Sequence, residues 1–260
     1  MNPVSRISES LREMRWAQVV LELALLVLGI LIALAVDGWM DDRRDARLER
    51  QYLERLARDL DQNIGILREF VDFEERQVAD GILAYRALRG VEPAEREAVS
   101  QAIDHLATRR TVRFVRATYA DLLSTGNLHL IRDPALRDAV VNLYEMADRV
   151  VTVTDRNNQV MVDQMLALPL AESGLVAPRP TSNLPDASVD RSGVFERLGV
   201  PVDETQDRLW ALPEGSPERA VLTNRILRRA RAGANTRALA ESLERQVQEV
   251  RAALAAALAR

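Results

Sequence analysis

The apolar positions of this chain fall into one dense block followed by three long stripes. The block runs from Ala17 to Val36, where only Gln18 and Glu22 are strongly polar. A helix rises about 1.5 Å per residue, so the block covers roughly 30 Å, one hydrocarbon core of a bilayer. Trp16 and Trp39 bracket it, where indole rings favour the headgroup boundary. The pattern predicts an N-terminal tail over 1–15, a transmembrane helix over 16–39 and an extramembrane domain over 40–260.

Past Trp39 the helical pattern continues. Leu53, Leu56, Leu60, Ile64, Leu67, Val71, Val78, Ile82 and Tyr85 recur at threes and fours, with a gap at Glu74 and Glu75. Charges fill the other faces. This predicts an amphipathic helix continuing the span and ending at Arg89-Gly90, with glycine as its C-terminal cap. Gly65 and Gly81 weaken it by roughly 1 kcal/mol each against Ala unless they pack closely. Pro93 opens a short helix through about Ala107. Thr118 to Ser124 is another, stopped by Gly126.

Asp133-Pro134 is a strong helix start, a capping carboxylate followed by proline at the first helical position. The stripe Leu136, Val140, Leu143, Val150, Met161 and Met165 follows and ends at Pro169. Seven of the ten prolines then lie from Pro169 to Pro217. This predicts a loop over 169–217, a length that is either functional or disordered. Phe195 and Trp210 offer it anchors on the bundle. Ser216-Pro217-Glu218 opens the last helix, with Leu222, Ile226, Leu239, Leu243, Val247, Val250 and Leu254 at helical spacing and a kink expected at Gly233. Only Thr111 to Val115 has strand character. The fold class is all-α: a transmembrane helix continuing into an elongated, coiled-coil-like bundle of three long helices and one short helical hairpin.

Two other readings of the apolar block stay open. It has features of a signal peptide, with Arg6, Arg12 and Arg15 before it and the small-x-small pattern Ala33-Leu34-Ala35; Glu22 interrupts that run. A buried core helix is the third reading. For an anchor, orientation rests on the nearest charges. Arg12 and Arg15 precede the span, while Asp37, Asp41 and Asp42 follow it, which places the N-terminus in the cytoplasm and the domain in the periplasm. The arginine count is nearly a tie, three before and four after at Arg43, Arg44, Arg47 and Arg50.

Glu22 is costly in lipid and faces protein or water. At about 100° per residue, Gln18, Glu22, Gly29 and Ala33 share one face. Gly29-x-x-x-Ala33 is a small-xxx-small pattern that lets helices approach closely. These four residues form a candidate contact with a second copy or a partner membrane protein. In that contact Glu22 is protonated or hydrogen-bonded by Gln18 of a neighbour. The alternative is that Glu22 snorkels to the nearby boundary.

Composition narrows the chemistry. There is no cysteine, so disulfides, thiolate metal sites and cysteine nucleophiles are excluded. All 35 basic residues are arginine, and the formal net charge is −4 with both signs interspersed, so nothing draws the chain to nucleic acid. His105 and His129 are the only histidines and lack ligand spacing. Asp72, Glu74 and Glu75 read as a solvated helix face rather than a cation site. No phosphate-cradling loop, nucleophile elbow or paired-carboxylate pattern stands out, and no cofactor is implied. The best binding candidate is Arg109, Arg110, Arg113 and Arg116, beside Phe114 and Tyr119. These guanidinia suit an anion, a lipid headgroup or an acidic partner; the competing role is pairing with carboxylates of the long helices. Tyr119, Gly126 and Asn127 are expected to fix a helix hairpin, with Gly126 or Asn127 at positive φ.

Two stretches, "ELALLVLGILIALAVDGWMDDRRDARLERQYLERLARDL" and "TYADLLSTGNLHLIRDPALRDAVVNLYE", carry a family resemblance. The matching residues are Glu22, Gly29-Ile30-Leu31-Ile32-Ala33-Leu34 and Trp39 in the first. In the second they are Thr118-Tyr119, Leu122, Ser124, Gly126-Asn127-Leu128, Ile131 and Leu136-Arg137. Together they resemble a family of bacterial single-span membrane proteins with a helical extramembrane domain of unassigned function. Members often carry asparagines before the tryptophan; here Val36-Asp37-Gly38 stands instead. The resemblance implies an anchor in the bacterial inner membrane and adds no chemistry. The expectation is a non-enzymatic, membrane-anchored interaction, scaffold or envelope-sensing module, homo-oligomeric or joined to a partner membrane protein. The alternative is a tethered ligand-binding domain or enzyme that uses the arginine cluster and the 169–217 loop.

Overall fold

The computed structural model describes residues 3–173 and 208–259, with side chains from Leu21 onward except at residue 171. Phe195 and most of the proline-rich segment therefore lie outside the described residues, as do the side chains of Trp16 and Gln18.

Every described element is helical. Helix α1 runs without a break from Pro3 to Leu88, 86 residues, or about 130 Å. Its one proline sits in the first turn, where a missing amide costs nothing. The helix ends in a Schellman motif. Val91 N–H donates to the Arg86 carbonyl, Gly90 N–H to the Ala87 carbonyl, and Gly90 has φ +65°. Residues 89–95 turn the chain back, so α2 starts at Arg96 and runs to Leu106, three residues later than the proline suggested.

Helix α3 spans Ala117–Ser124, followed by Gly126 at φ +71° and a 3₁₀ turn over Asn127–Leu130. Helix α4 covers Pro134–Asn157, and the Asp133 carboxylate accepts from the Ala135 and Leu136 amides as expected. The helix then widens into π-type turns over Asn158–Ala167 and returns to α geometry as α5, Leu168–Ser173. A 3₁₀ turn at Arg208–Ala211 precedes helix α6, Pro217–Leu258, capped by Ser216 Oγ.

The widened turns correct two expectations. Buried positions now recur every four residues, at Val150, Thr154, Asn158, Val162, Leu166 and Leu170. A 3.6-residue period points instead to Met161 and Met165, which are only half-buried. A π turn takes more residues than an α turn, so the stripe slips by one position. Nor does the helix stop at Pro169. That proline lies just past the point where the π-type turns give way to α geometry, inside one continuous helical run.

Helix α6 packs antiparallel along the C-terminal half of α1. Asp61 pairs with Arg251, Arg68 with Glu244, Glu75 with Arg237, and the Leu88 carbonyl accepts from Arg219 Nε. Helix α4 completes a three-helix bundle. Its apolar interior falls into two clusters. The one nearer the span joins Leu53, Leu56, Leu60 and Leu67 to Leu136, Val140, Leu143, Val247 and Leu254. The far one joins Ala84 and Leu88 to α2, Leu166, Leu209, Leu222 and Ile226.

From Leu21 on, the part of α1 before the bundle stands alone. An 18-residue window of mean hydropathy 2.3 near its N-terminal end is long and apolar enough to cross a membrane, and none of it is buried. It is thus not a core helix of this chain. The first contact with the bundle comes about one turn past Trp39, where Arg132 Nη2 donates to the Asp42 carbonyl, and packing begins at Leu48 and Tyr52.

Candidate functional site

The two apolar clusters are separated by a layer of buried polar groups between α1 and α6. Glu74 Oε2 and Arg229 Nη1 are 3.1 Å apart. Arg229 Nη2 donates to Gln77 Oε1, Gln77 Nε2 to Thr108 Oγ1, and Thr108 Oγ1 to the His105 carbonyl. His105 Nδ1 lies 3.2 Å from Asp80 Oδ2. On the other flank, Asn157 Nδ2 donates to Thr236 Oγ1 and the buried Asn158 to the Arg110 carbonyl. Arg229 Nε is buried and has no hydrogen-bond partner. Burial pushes the Glu74 carboxyl up, and the Arg229 guanidinium offsets only part of that. Asp80 is raised for the same reason, partly offset by His105.

This layer overturns the solvated-face expectation for Glu74. Only 2% of Glu74 is exposed, whereas Asp72 and Glu75 do face water. The gap in the apolar stripe of α1 was the signal. Position 74 falls on that stripe between Val71 and Val78, so a helix that buries the stripe buries a carboxylate with it.

Two glycines set how close the helices come. A Cβ on Gly81 would lie 2.5 Å from Ala230 Cβ, and one on Gly233 would lie 2.9 Å from Glu74 Oε2. Gly81 therefore packs closely. Gly233, the site of the expected kink, lies inside a single helix that runs on to Leu258. Its role is to leave room for the Glu74–Arg229 pair. Gly65 has open space around it.

The arginine cluster lies on the extended connector from α2 to α3, which crosses α1 and α4. Its strand character is used without a strand. Asn63 on α1 donates through Nδ2 to the Val115 carbonyl and accepts the Val115 amide at Oδ1, as a neighbouring peptide would. Arg109 pairs with Asp163, and Arg110 with Glu69. Arg116 forms a bidentate pair with Asp148, at 2.8 and 2.9 Å. That hydrogen-bonded pairing is what raises Arg116 above the usual guanidinium range. Arg113 is exposed and has no ion pair among the described residues. Three of the four guanidinia thus tie the connector to α1, α4 and the widened turns that follow it. Among the described residues no three His, Asp or Glu side chains converge to hold a metal.

Below the connector, Tyr119 stacks on Tyr144 at 4.2 Å and 2°, and Phe114 meets Tyr144 edge-on at 5.7 Å. Tyr144 Oη is buried without a hydrogen bond, and burial moves its phenol well above the ordinary tyrosine range, with nearby Asp59 adding to the effect. Asp59 accepts the Thr118 amide and so caps α3 from another helix. The hairpin is set by Gly126, which takes the positive φ rather than Asn127, while Asn127 Nδ2 donates to Tyr52 Oη. His129 Nδ1 donates to the Gly126 carbonyl, so both histidines have partners inside the fold. On the apolar helix, Glu22, Gly29 and Ala33 are all exposed, and a Cβ on Gly29 would meet nothing beyond its own helix backbone within 4 Å.

No family model, no curated protein and no solved structure matches this chain.

Proposed function

We propose that this chain is a non-enzymatic, membrane-anchored helical module of the bacterial inner membrane that acts through protein contacts, as a scaffold or envelope-sensing element. Its N-terminus is cytoplasmic and its bundle periplasmic. The observation that carries this reading is the single uninterrupted helix from the apolar segment into the bundle core. A helix has no soft joint, so a shift or rotation of the span is carried into the bundle rather than lost in a linker. Cleavage after Ala35 would cut α1 in mid-helix, which favours an anchor over a signal peptide. The exposed face of Glu22, Gly29 and Ala33 is the contact surface in the membrane, and its partner is a second copy of the chain. The carboxylate pairing of Arg109, Arg110 and Arg116 favours a structural use of that cluster over ligand capture.

The test exploits the absence of cysteine. Ala33→Cys on the contact face and Leu31→Cys on the opposite face are oxidised in native membranes. The reading requires a disulfide dimer from Ala33→Cys and little or none from Leu31→Cys, with Glu22→Leu lowering the yield. Equal yields from the two positions, or none, would remove the contact.

A further inference from the structure

The first turns of α1 beyond Trp39 sort their charges by face, with Arg44 the exception at about 100° from Arg43. Taking Arg43 as reference and about 100° per residue, Trp39, Arg47 and Arg50 fall within about 40° of it. Asp37, Asp41, Asp42, Asp45 and Glu49 all lie about 100° or more away. The acidic side turns towards the bundle, where Glu49 and the Asp42 carbonyl hold Arg132. The arginine stripe points away from the bundle, and Arg43, Arg47 and Arg50 are exposed.

Along this stripe the arginines divide at a definite height. Arg43 turns back one turn towards the span, its guanidinium 4.1 Å from the Trp39 ring centroid. Arg47 turns back likewise, its Nε donating to the Arg43 carbonyl at 3.3 Å. Neither has a carboxylate partner among the described residues. Arg50 points the other way and pairs with Glu54 at 3.1 Å. A headgroup layer is about 5–8 Å thick on each side of the hydrocarbon core. With Trp39 at its inner edge, Arg43 stands roughly 6 Å higher and Arg47 roughly 12 Å, each side chain reaching back by about a turn. Both guanidinia therefore fall within the headgroup layer, Arg43 at its inner edge beside the indole and Arg47 at phosphate height, while Arg50 lies above it and supplies itself with a carboxylate.

We propose that Trp39, Arg43 and Arg47 form a headgroup site for an anionic phospholipid in the leaflet on the bundle side. The two guanidinia take the phosphate oxygens by charge-assisted hydrogen bonds, and the indole packs at the glycerol level. This fixes the height and the rotation of α1 at the point where the bundle begins. It rests on the membrane-anchor reading above.

The full-length chain is reconstituted into nanodiscs of phosphatidylcholine with a minority of phosphatidylglycerol, and the lipids that leave with it are counted by native mass spectrometry. The expected result is retention of phosphatidylglycerol in preference to phosphatidylcholine. Arg43→Gln and Arg47→Gln should each reduce it about fivefold, and Arg50→Gln should leave it unchanged. Equal retention of the two lipids, or equal loss in all three variants, overturns the headgroup site while leaving the anchor intact. Failure of the chain to enter the discs overturns the anchor, and the site with it.

Discussion

Glu74 and Arg229 lie 3.1 Å apart between two apolar clusters, with 3% and 4% of their side chains exposed. A buried pair of this kind is weak evidence of stabilisation, because desolvation consumes much of the attraction. Removing one partner is nevertheless costly, and here the two removals are not equivalent. A carboxyl can shed its charge by taking a proton; a guanidinium cannot.

Glu74→Gln leaves Arg229 charged in the interior and should destabilise the bundle by about 3–5 kcal/mol. Arg229→Met should cost less at low pH, because Glu74 is then neutral. The folded-state pKa of Glu74 is raised, so its contribution is fully present below the ordinary carboxylate range and lost as pH rises through the folded value. Without Arg229 that loss should be larger. Thermal unfolding in detergent, followed by circular dichroism from pH 4 to 8, reads both effects. A pH-independent Arg229→Met variant would contradict the assignment.

Gly81 and Gly65 lie on the same helix and should respond in opposite directions. Gly81→Ala drives a methyl into Ala230 and should cost about 1–3 kcal/mol. Gly65→Ala meets nothing and should gain up to about 1 kcal/mol through helix propensity and a less flexible unfolded chain. The same unfolding assay checks both. A stabilising Gly81→Ala would mean that the helices do not approach as described.

Tyr144→Phe removes a buried hydroxyl that has no partner and keeps the ring that stacks on Tyr119. It should be neutral or stabilising by up to about 1 kcal/mol, whereas Tyr144→Ala should cost about 3–5 kcal/mol. Loss of stability in Tyr144→Phe would reveal a hydrogen bond that the described contacts lack.

Asp59 caps α3 across the fold, so Asp59→Ala should cost about 1 kcal/mol, as loss of an N-cap does. Hydrogen exchange should rise at the amides of Thr118 and its neighbours while those of α6 stay protected. Uniform exchange across the bundle would assign Asp59 some other role.

Much of this architecture was legible in the residues. Asp133-Pro134, Ser216-Pro217 and Gly90 mark their helix ends through local capping chemistry, which needs no tertiary information. The slip from Met161 to Val162 was not legible, because nothing local announces a widened turn. Glu74 was half-legible. Its place on the apolar stripe was visible, but its partner lies 155 positions away. Gly233 looked like a defect because a close helix crossing is a property of two helices, and only one was in view. The pairing of Arg109, Arg110 and Arg116 depended on where the connector crosses the bundle, which spacing does not specify.

The central claim is that one continuous helix anchors the bundle on the outer face of the membrane. Ala238, exposed on α6, offers a site for the only cysteine in the chain. Intact cells carrying Ala238→Cys are treated with a maleimide that cannot cross the inner membrane, then fractionated. The account predicts labelling of a membrane-bound product before lysis. Labelling only after lysis, or labelled protein free in the periplasm, would contradict it.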